Sequence, residues 1–216
     1  EPGQYEKNVA AWKPYGKVSG IEYKMALDPR LFAAHKAGEC FETIWKTLWT
    51  VAAQNGFVLT AADKSKVRLR TRSYYDTENL ALSHAGFVVR MTTEYKKDGT
   101  AKKGRRLTVK TSGKEPAFIL GTSLDPAGIK GKVSAEDHPW LDARGNMGSR
   151  LEKSVNIRVD HEMLGETFDN PDRPQLQQFS RFVPALAQSG LAPETVLAAA
   201  TVCSYSAKMG FVNLAE

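Results

Sequence analysis

A chain of 216 residues, 42% hydrophobic and 25% charged, is ordinary globular material that can bury a real core, most economically as one domain with an appendage. Its net charge of +6 points to anionic partners such as nucleotide, polyphosphate, nucleic acid or an acidic surface, without choosing among them. No apolar run approaches the roughly 20 residues that cross a bilayer, so membrane insertion is not expected.

Residues 1–16, polar and carrying Pro2, Gly3, Pro14 and Gly16, read as an irregular arm before a domain at 17–216. A strand at 18–27 ends at Asp28-Pro29, a good helix start with Asp28 as N-cap and Pro29 in the first turn. The helix that follows carries Phe41, Ile44, Trp45, Leu48 and Ala52 on one stripe and stops at Asn55-Gly56. Trp45 and Trp49 read as core anchors. Strands are expected at 57–62, 65–75, 86–96 and 104–112, with Lys97-Asp98-Gly99-Thr100 turning between the last two. The Gly- and Pro-rich stretch 113–149 reads as a long loop or insertion, and His138 within it as a loop residue. A strand at 150–160, helices at 174–188 and 193–200, and a final strand at 202–214 complete the chain. Cys40 and Cys203 match no metal spacing and read as buried thiols, with a bridge open to an exported protein. The chain opens at Glu1 without methionine, which leaves a cytoplasmic protein and an exported, processed form both open, the former favoured.

The strands share one feature. From Lys64 to Arg72 every second residue is a cation: Lys64, Lys66, Arg68, Arg70 and Arg72. In a strand they occupy one face at a spacing of roughly 7 Å. Such neighbours repel by about 0.6 kcal/mol in water and by several-fold more in a cleft of low dielectric. The row is therefore cheap on a solvated sheet edge and costly inside a fold, unless an anion lies along it. Val88, Arg90, Thr92 and Glu94 oppose Val89, Met91 and Thr93, and Arg106, Thr108 and Lys110 oppose Leu107, Val109 and Thr111. Glu22 and Lys24 oppose Ile21, Tyr23 and Met25. Glu152, Ser154, Asn156, Arg158 and Asp160 oppose Leu151, Val155, Ile157 and Val159, with Lys153 the one misfit. An antiparallel sheet with one wet face accounts for this pattern. So does a barrel with a charged lumen and helices packed outside, which also explains the preference for arginine, a bidentate phosphate ligand.

Tyr74-Tyr75-Asp76-Thr77-Glu78-Asn79-Leu80-Ala81-Leu82-Ser83-His84-Ala85-Gly86-Phe87-Val88-Val89-Arg90 closely resembles a signature segment of CYTH domains, the triphosphate tunnel metalloenzymes. Gly104-Arg105-Arg106-Leu107-Thr108-Val109-Lys110 resembles the family's strand ending in Leu-Thr-x-Lys, and Ile21-Glu22-Tyr23-Lys24 the end of its opening Glu-x-Glu-x-Lys strand. Together they cover residues 20–110. The resemblance implies an α+β fold: an antiparallel eight-stranded tunnel-like β-barrel whose charged lumen grips a triphosphate and whose carboxylates hold Mg²⁺ or Mn²⁺. Transferred by position, it makes Lys24, Arg90 and Lys110 phosphate ligands and Glu22 a catalytic carboxylate at the metal. Arg68, Arg70 and Arg106 extend the phosphate grip, and Glu152, with Asp160 or Glu162, extends the metal side. Asp76 reads as a turn carboxylate that caps the next segment.

This chain departs from the pattern at Gly20, where the family carries a first glutamate, and no closing strands align beyond residue 165. Phosphoanhydride hydrolysis needs charge neutralisation, an aligned water and a held divalent ion. The expected function is thus a metal-dependent phosphohydrolase acting on tripolyphosphate or a small organic triphosphate. The competing expectation is a non-catalytic polyphosphate or nucleotide binder with a degenerate metal site. Nucleic acid is disfavoured, since aromatic residues do not interleave the basic strands, and a homodimer stays open. The four histidines form no zinc spacing, and neither a nucleophile elbow nor a P-loop is present.

Overall fold

The computed structural model describes residues 10, 12–22, 30, 37–61, 67–113, 115–141, 147–168, 170 and 172–214. Two compact units divide the chain: Glu1–Met25, Arg72–Thr93 and Lys102–Val202 form the first, and Ala26–Thr71, Glu94–Ala101 and Cys203–Glu216 the second. The elements in order are β1 (Gly20–Ile21), α1 (Ala37–Gln54), β2 (Phe57–Ala61), β3 (Arg68–Asp76), α2 (Ala81–His84), β4 (Phe87–Glu94), β5 (Arg105–Gly113) and α3 (Pro116–Gly121). There follow β6 (Gly131–Leu141), β7 (Met147–Val159), α4 (His161–Thr167), α5 (Leu176–Ser180), a 3-10 turn (Pro184–Ser189), β8 (Ala198–Ser206) and β9 (Gly210–Leu214).

The fold is α+β. Seven strands form a mostly antiparallel sheet in the order β1-β6-β7-β5-β4-β3-β8, with β1 joining β6 in parallel. Each end strand has a single neighbour, so among the described residues the sheet is open and a closed barrel is not shown.

Alternation decides which face is dry. Phe87, Val89 and Met91 of β4, Leu107 and Val109 of β5, and Val155, Ile157 and Val159 of β7 point to one side and are buried. Leu176 and Phe179 of α5, Leu186 of the 3-10 turn, and Phe182 and Val183 between the two elements cover them to form the main core of the first unit. The Phe179 ring meets those of Tyr75 and Phe168 at a tilt, with centroids 4.9 Å and 5.0 Å away. Each such side chain, fully buried, contributes about 1.5–3 kcal/mol. A smaller cluster of Trp12, Ile119, Leu120, Ala135 and Leu151 continues the same face beneath α3.

Lys153, the misfit of β7, lies on this apolar face with a purpose. Its ammonium donates to the carbonyls of Leu120 (2.8 Å) and Thr122 (2.7 Å), which end α3 without helical partners. Burial pushes its pKa below the ordinary lysine value, with Asp125 partly opposing the shift. Gly86 is required where α2 turns into β4: its φ is +82°, and a Cβ there would lie 2.8 Å from the Phe118 ring.

Several expectations are met and others corrected. Strands stand at β2, β3, β4, β5 and β7 close to the expected limits, and α1 ends at Gly56, whose φ is +73°. The stretch 113–149 is not a long loop: it contains α3 and the eleven-residue β6, which pairs with β7 from Gly131↔Ile157 to Leu141↔Met147. Residues 193–200 are not helical. Ala198–Ala200 begin β8, where Thr201 hydrogen-bonds Ser73 of β3 at 2.7 Å, and the expected final strand is two, β8 and β9. Residues 174–188 divide into α5 and the 3-10 turn. The expected N-cap at Asp28, and Lys24, Lys64 and Lys66, lie outside the described residues.

In the second unit α1 accompanies a two-stranded sheet in which β2 runs antiparallel to β9. Ala52 is buried, but Leu48 and Trp49 are largely exposed, so Trp49 is not the expected core anchor; it meets Trp45 edge-on at 6.2 Å. Cys203 is exposed rather than buried. Among the described residues no helix is long and apolar enough to cross a membrane.

Candidate functional site

The wet face of the first unit has two ends. The acidic end is built by strand pairing. The backbone N–H of Glu22 donates to the Asp137 carbonyl at 2.8 Å, and the parallel register Gly20↔Glu136, Ile21↔Asp137 carries Glu22 alongside His138. The β6–β7 register then sets Glu136 opposite Glu152, and His138 opposite Arg150. Like charges directly opposed across strands are destabilising, so this pair needs cations near it.

Two groups stand beside it. Lys110 of β5 forms a salt bridge with Glu152. The His138 ring stands among the carboxylates: Nδ1 is 3.5 Å from Glu22, and Nε2 is 3.8 Å from Glu136 and 3.6 Å from Glu152. Those separations exceed good hydrogen-bond lengths, and Nε2 is buried with no hydrogen-bond partner. His138 is thus no loop residue but the centre of the cluster. Ligand atoms of Glu22, Glu136 and His138 all lie within 4.8 Å of one another. Carboxylate oxygens with one imidazole nitrogen at that spread are a donor set suited to a divalent cation.

The basic end lies toward β4 and β3. Arg90 donates to Thr108 Oγ1 at 3.4 Å, and Thr108 donates to Asn156 at 2.8 Å, a polar line across β4, β5 and β7. The Arg90 guanidinium also sits over the Tyr74 ring, 6.0 Å from its centroid. Arg90 Nε and Arg72 Nε are buried without hydrogen-bond partners. Arg106 pairs in register with Thr92 on one side and Arg158 on the other. The wet-face line therefore passes from carboxylates through Lys110 to arginines.

The remaining expected residues fall elsewhere. In the second unit Arg70 donates to Glu94 Oε1 through Nε (2.9 Å) and a terminal nitrogen (2.8 Å), and Arg68 is exposed. Lys24 is not among the described residues. Asp160 accepts the Met163 N–H at 2.9 Å as the N-cap of α4. Beyond the end of β7 it is about 26 Å along the strand from Glu152, so the two do not share an ion. Glu162 is exposed in the first turn of α4. Asp76 caps α2, accepting the N–H groups of Leu82 (2.8 Å) and Ser83 (3.0 Å).

Sequence reasoning missed Glu136 as well as His138. Their spacing of two does place both on one strand face, but Pro139 and the buried Asp137, whose carboxylate takes a hydrogen bond from Ser149, disguise the strand. No family model matches the chain, and no curated protein matches it.

Proposed function

We propose that this wet face binds a triphosphate and hydrolyses its phosphoanhydride with Mg²⁺ or Mn²⁺, the substrate being inorganic tripolyphosphate or a small organic triphosphate. The observation that carries the reading is the continuity of the line: Glu22, Glu136 and Glu152 converge around His138, Lys110 bridges to them, and Arg90 and Arg72 follow. A polyphosphate chain needs cations along its length and a metal near the scissile bond. The resemblance of residues 20–110 to CYTH domains supports the same assignment. On this reading the open sheet belongs to an eight-stranded tunnel whose lumen is the wet face.

Each group has a task. The unsatisfied Nε–H groups of Arg72 and Arg90 point to an acceptor other than protein, and guanidinium forks fit phosphate oxygens. Lys110 neutralises charge developing between the arginines and the acids. The carboxylates hold the ion, which when bound polarises a phosphoryl oxygen and lowers the pKa of a water.

One observation favours a second reading, a binder without turnover. Glu152 is already engaged by Lys110, and a neutralised carboxylate offers less to a hard cation, while Gly20 offers none.

Phosphate release from tripolyphosphate, with and without Mg²⁺ or Mn²⁺, separates the two. Metal-dependent release is expected; its absence, with binding retained, leaves the binder. Binding is read from melting: a ligand at a hundredfold excess over Kd stabilises by about 2.7 kcal/mol. Arg90→Ala and Lys110→Ala should shrink that shift, while Lys130→Ala, on an exposed loop, should not. Equal shifts in all three would remove the phosphate assignment.

A further inference from the structure

We infer that Glu22, Glu136 and His138 form one divalent-metal site whose imidazole ligand makes it prefer first-row ions such as Mn²⁺ and Co²⁺ over Mg²⁺. The inference rests on the proposed function for what the ion would do, and on geometry alone for where it binds.

Four observations converge. Glu22 is distant in sequence from Glu136 and His138, which share β6, yet the ligand atoms of all three fall within 4.8 Å of one another. The His138 side chain is only 11% exposed, and its Nε2 has no hydrogen-bond partner, a cost in a buried ring that a ligand removes. Glu136 and Glu152 oppose each other in register, but Lys110 is engaged by Glu152, and Glu136 faces the imidazole at 3.8 Å. A second positive charge beside Glu136 relieves the pair.

The fourth observation is space. Gly20 is the register partner of Glu136, and among the described residues nothing lies within 4 Å of the Cβ that another residue would place there. That opening suits an ion that keeps several of its waters. Glu136, reaching in from the neighbouring strand, supplies the carboxylate that position 20 lacks.

Ligand chemistry gives the selectivity. Mg²⁺ takes oxygen donors and holds water tightly, whereas Mn²⁺, Co²⁺ and their neighbours accept imidazole readily. A Glu-Glu-His set therefore separates ions that an all-carboxylate set treats more alike.

The test is metal binding by the full chain, freed of metal with a chelator. Co²⁺ is followed by its visible absorption, Mn²⁺ by its paramagnetic resonance signal, and Mg²⁺ by competition against Mn²⁺. We expect wild type to bind Mn²⁺ at least about tenfold more tightly than Mg²⁺, and His138→Gln to lose about tenfold or more in Mn²⁺ affinity with Mg²⁺ little changed. His138→Asp, which exchanges the imidazole for a carboxylate, should still bind and should move the preference toward Mg²⁺. Melting in chelator checks that each variant is folded. The inference is overturned by equal Mn²⁺ and Mg²⁺ affinity in wild type, a result that needs no variant. It is equally overturned by His138→Gln binding Mn²⁺ as wild type does, or by no ion binding at all. Ion binding that depends on His138 without phosphate release would sink the hydrolase and leave this site standing. Mg²⁺-supported hydrolysis indifferent to His138 would do the reverse.

Discussion

The two ends of the wet face are assembled differently. At the basic end, Arg72 and Arg90 stand on β3 and β4, which approach one another through short connections, and each leaves a buried Nε without a partner. At the acidic end Glu22, Glu136 and Glu152 are drawn together by β1, β6 and β7, with Lys110 reaching across from β5. A spare donor invites an anion that spans several residues. A knot of carboxylates about an imidazole invites a single compact cation. The difference suggests a division of labour: grip at one end, chemistry at the other.

The largest expected effect tests that division. Glu22→Gln should cut metal-dependent turnover by about a hundredfold or more, as loss of a group acting on the transition state does, while tripolyphosphate binding persists. Arg90→Ala should instead raise KM by about tenfold and spare most of kcat. Steady-state kinetics of both variants decide it; the same kinetic signature in each would erase the distinction between the ends.

Next in size is Gly20→Glu. With open space at the Cβ, it adds a carboxylate opposite Glu136 and should tighten Mn²⁺ binding by about tenfold, a gain of ~1.4 kcal/mol that one extra charge at close range can supply. Isothermal titration measures it. Weaker binding would mean that the opening is occupied in solution.

Lys153 sharpens the comparison from beneath, since it belongs to the support of the acidic end and not to its chemistry. Lys153→Met keeps the stem and removes both hydrogen bonds to the end of α3, and should cost about 2 kcal/mol in urea unfolding. Its pKa is lowered in the folded protein, so over the alkaline window below the ordinary value of 10.5 the unfolded chain holds more protons. Stability from this lysine therefore rises with pH across that window and is lost as pH falls through the folded value. The gap between wild type and Lys153→Met should widen toward alkaline pH; a gap that narrows would put the wrong sign on its burial.

The smallest effect lies beside the basic end. Leu80, a residue 53% exposed, adopts φ +57°, a left-handed conformation that a branched residue resists. Leu80→Gly should stabilise by about 0.5 kcal/mol, the relief less the entropy cost of glycine, without altering ion or phosphate binding. A changed affinity would show that this turn takes part in the grip.

The basic end was legible in the sequence because alternation is a short-range signal: Arg70 and Arg72, Arg90 and Thr92, Arg106 and Thr108 each announce a face. The acidic end was half legible. Glu22 and Glu152 stand on strands whose apolar partners are obvious, whereas the dry face of β6 carries Ala135 and Asp137 where a run of large hydrophobics would have marked it. Nor does a periodic pattern tell which strand neighbours which; the parallel pairing of β1 with β6 is a tertiary fact. Asp160 failed as a ligand for the converse reason. Its residue type and face were right, but the strand ends before it and a helix begins there.

That parallel pairing has a kinetic consequence. Ser19 meets Ala135 across 116 positions, while β4 and β5 are joined by a short turn. Closing so long a stretch costs about 2 kcal/mol more than closing one of ten residues, and among the described residues two of β1 enter the ladder. The central strands are thus expected to zip early, and the edge carrying Glu22 to dock last and to open first. During synthesis the acidic knot stays incomplete until β7, which carries Glu152, has left the ribosome, so an ion there would arrive as a late fastener of the fold.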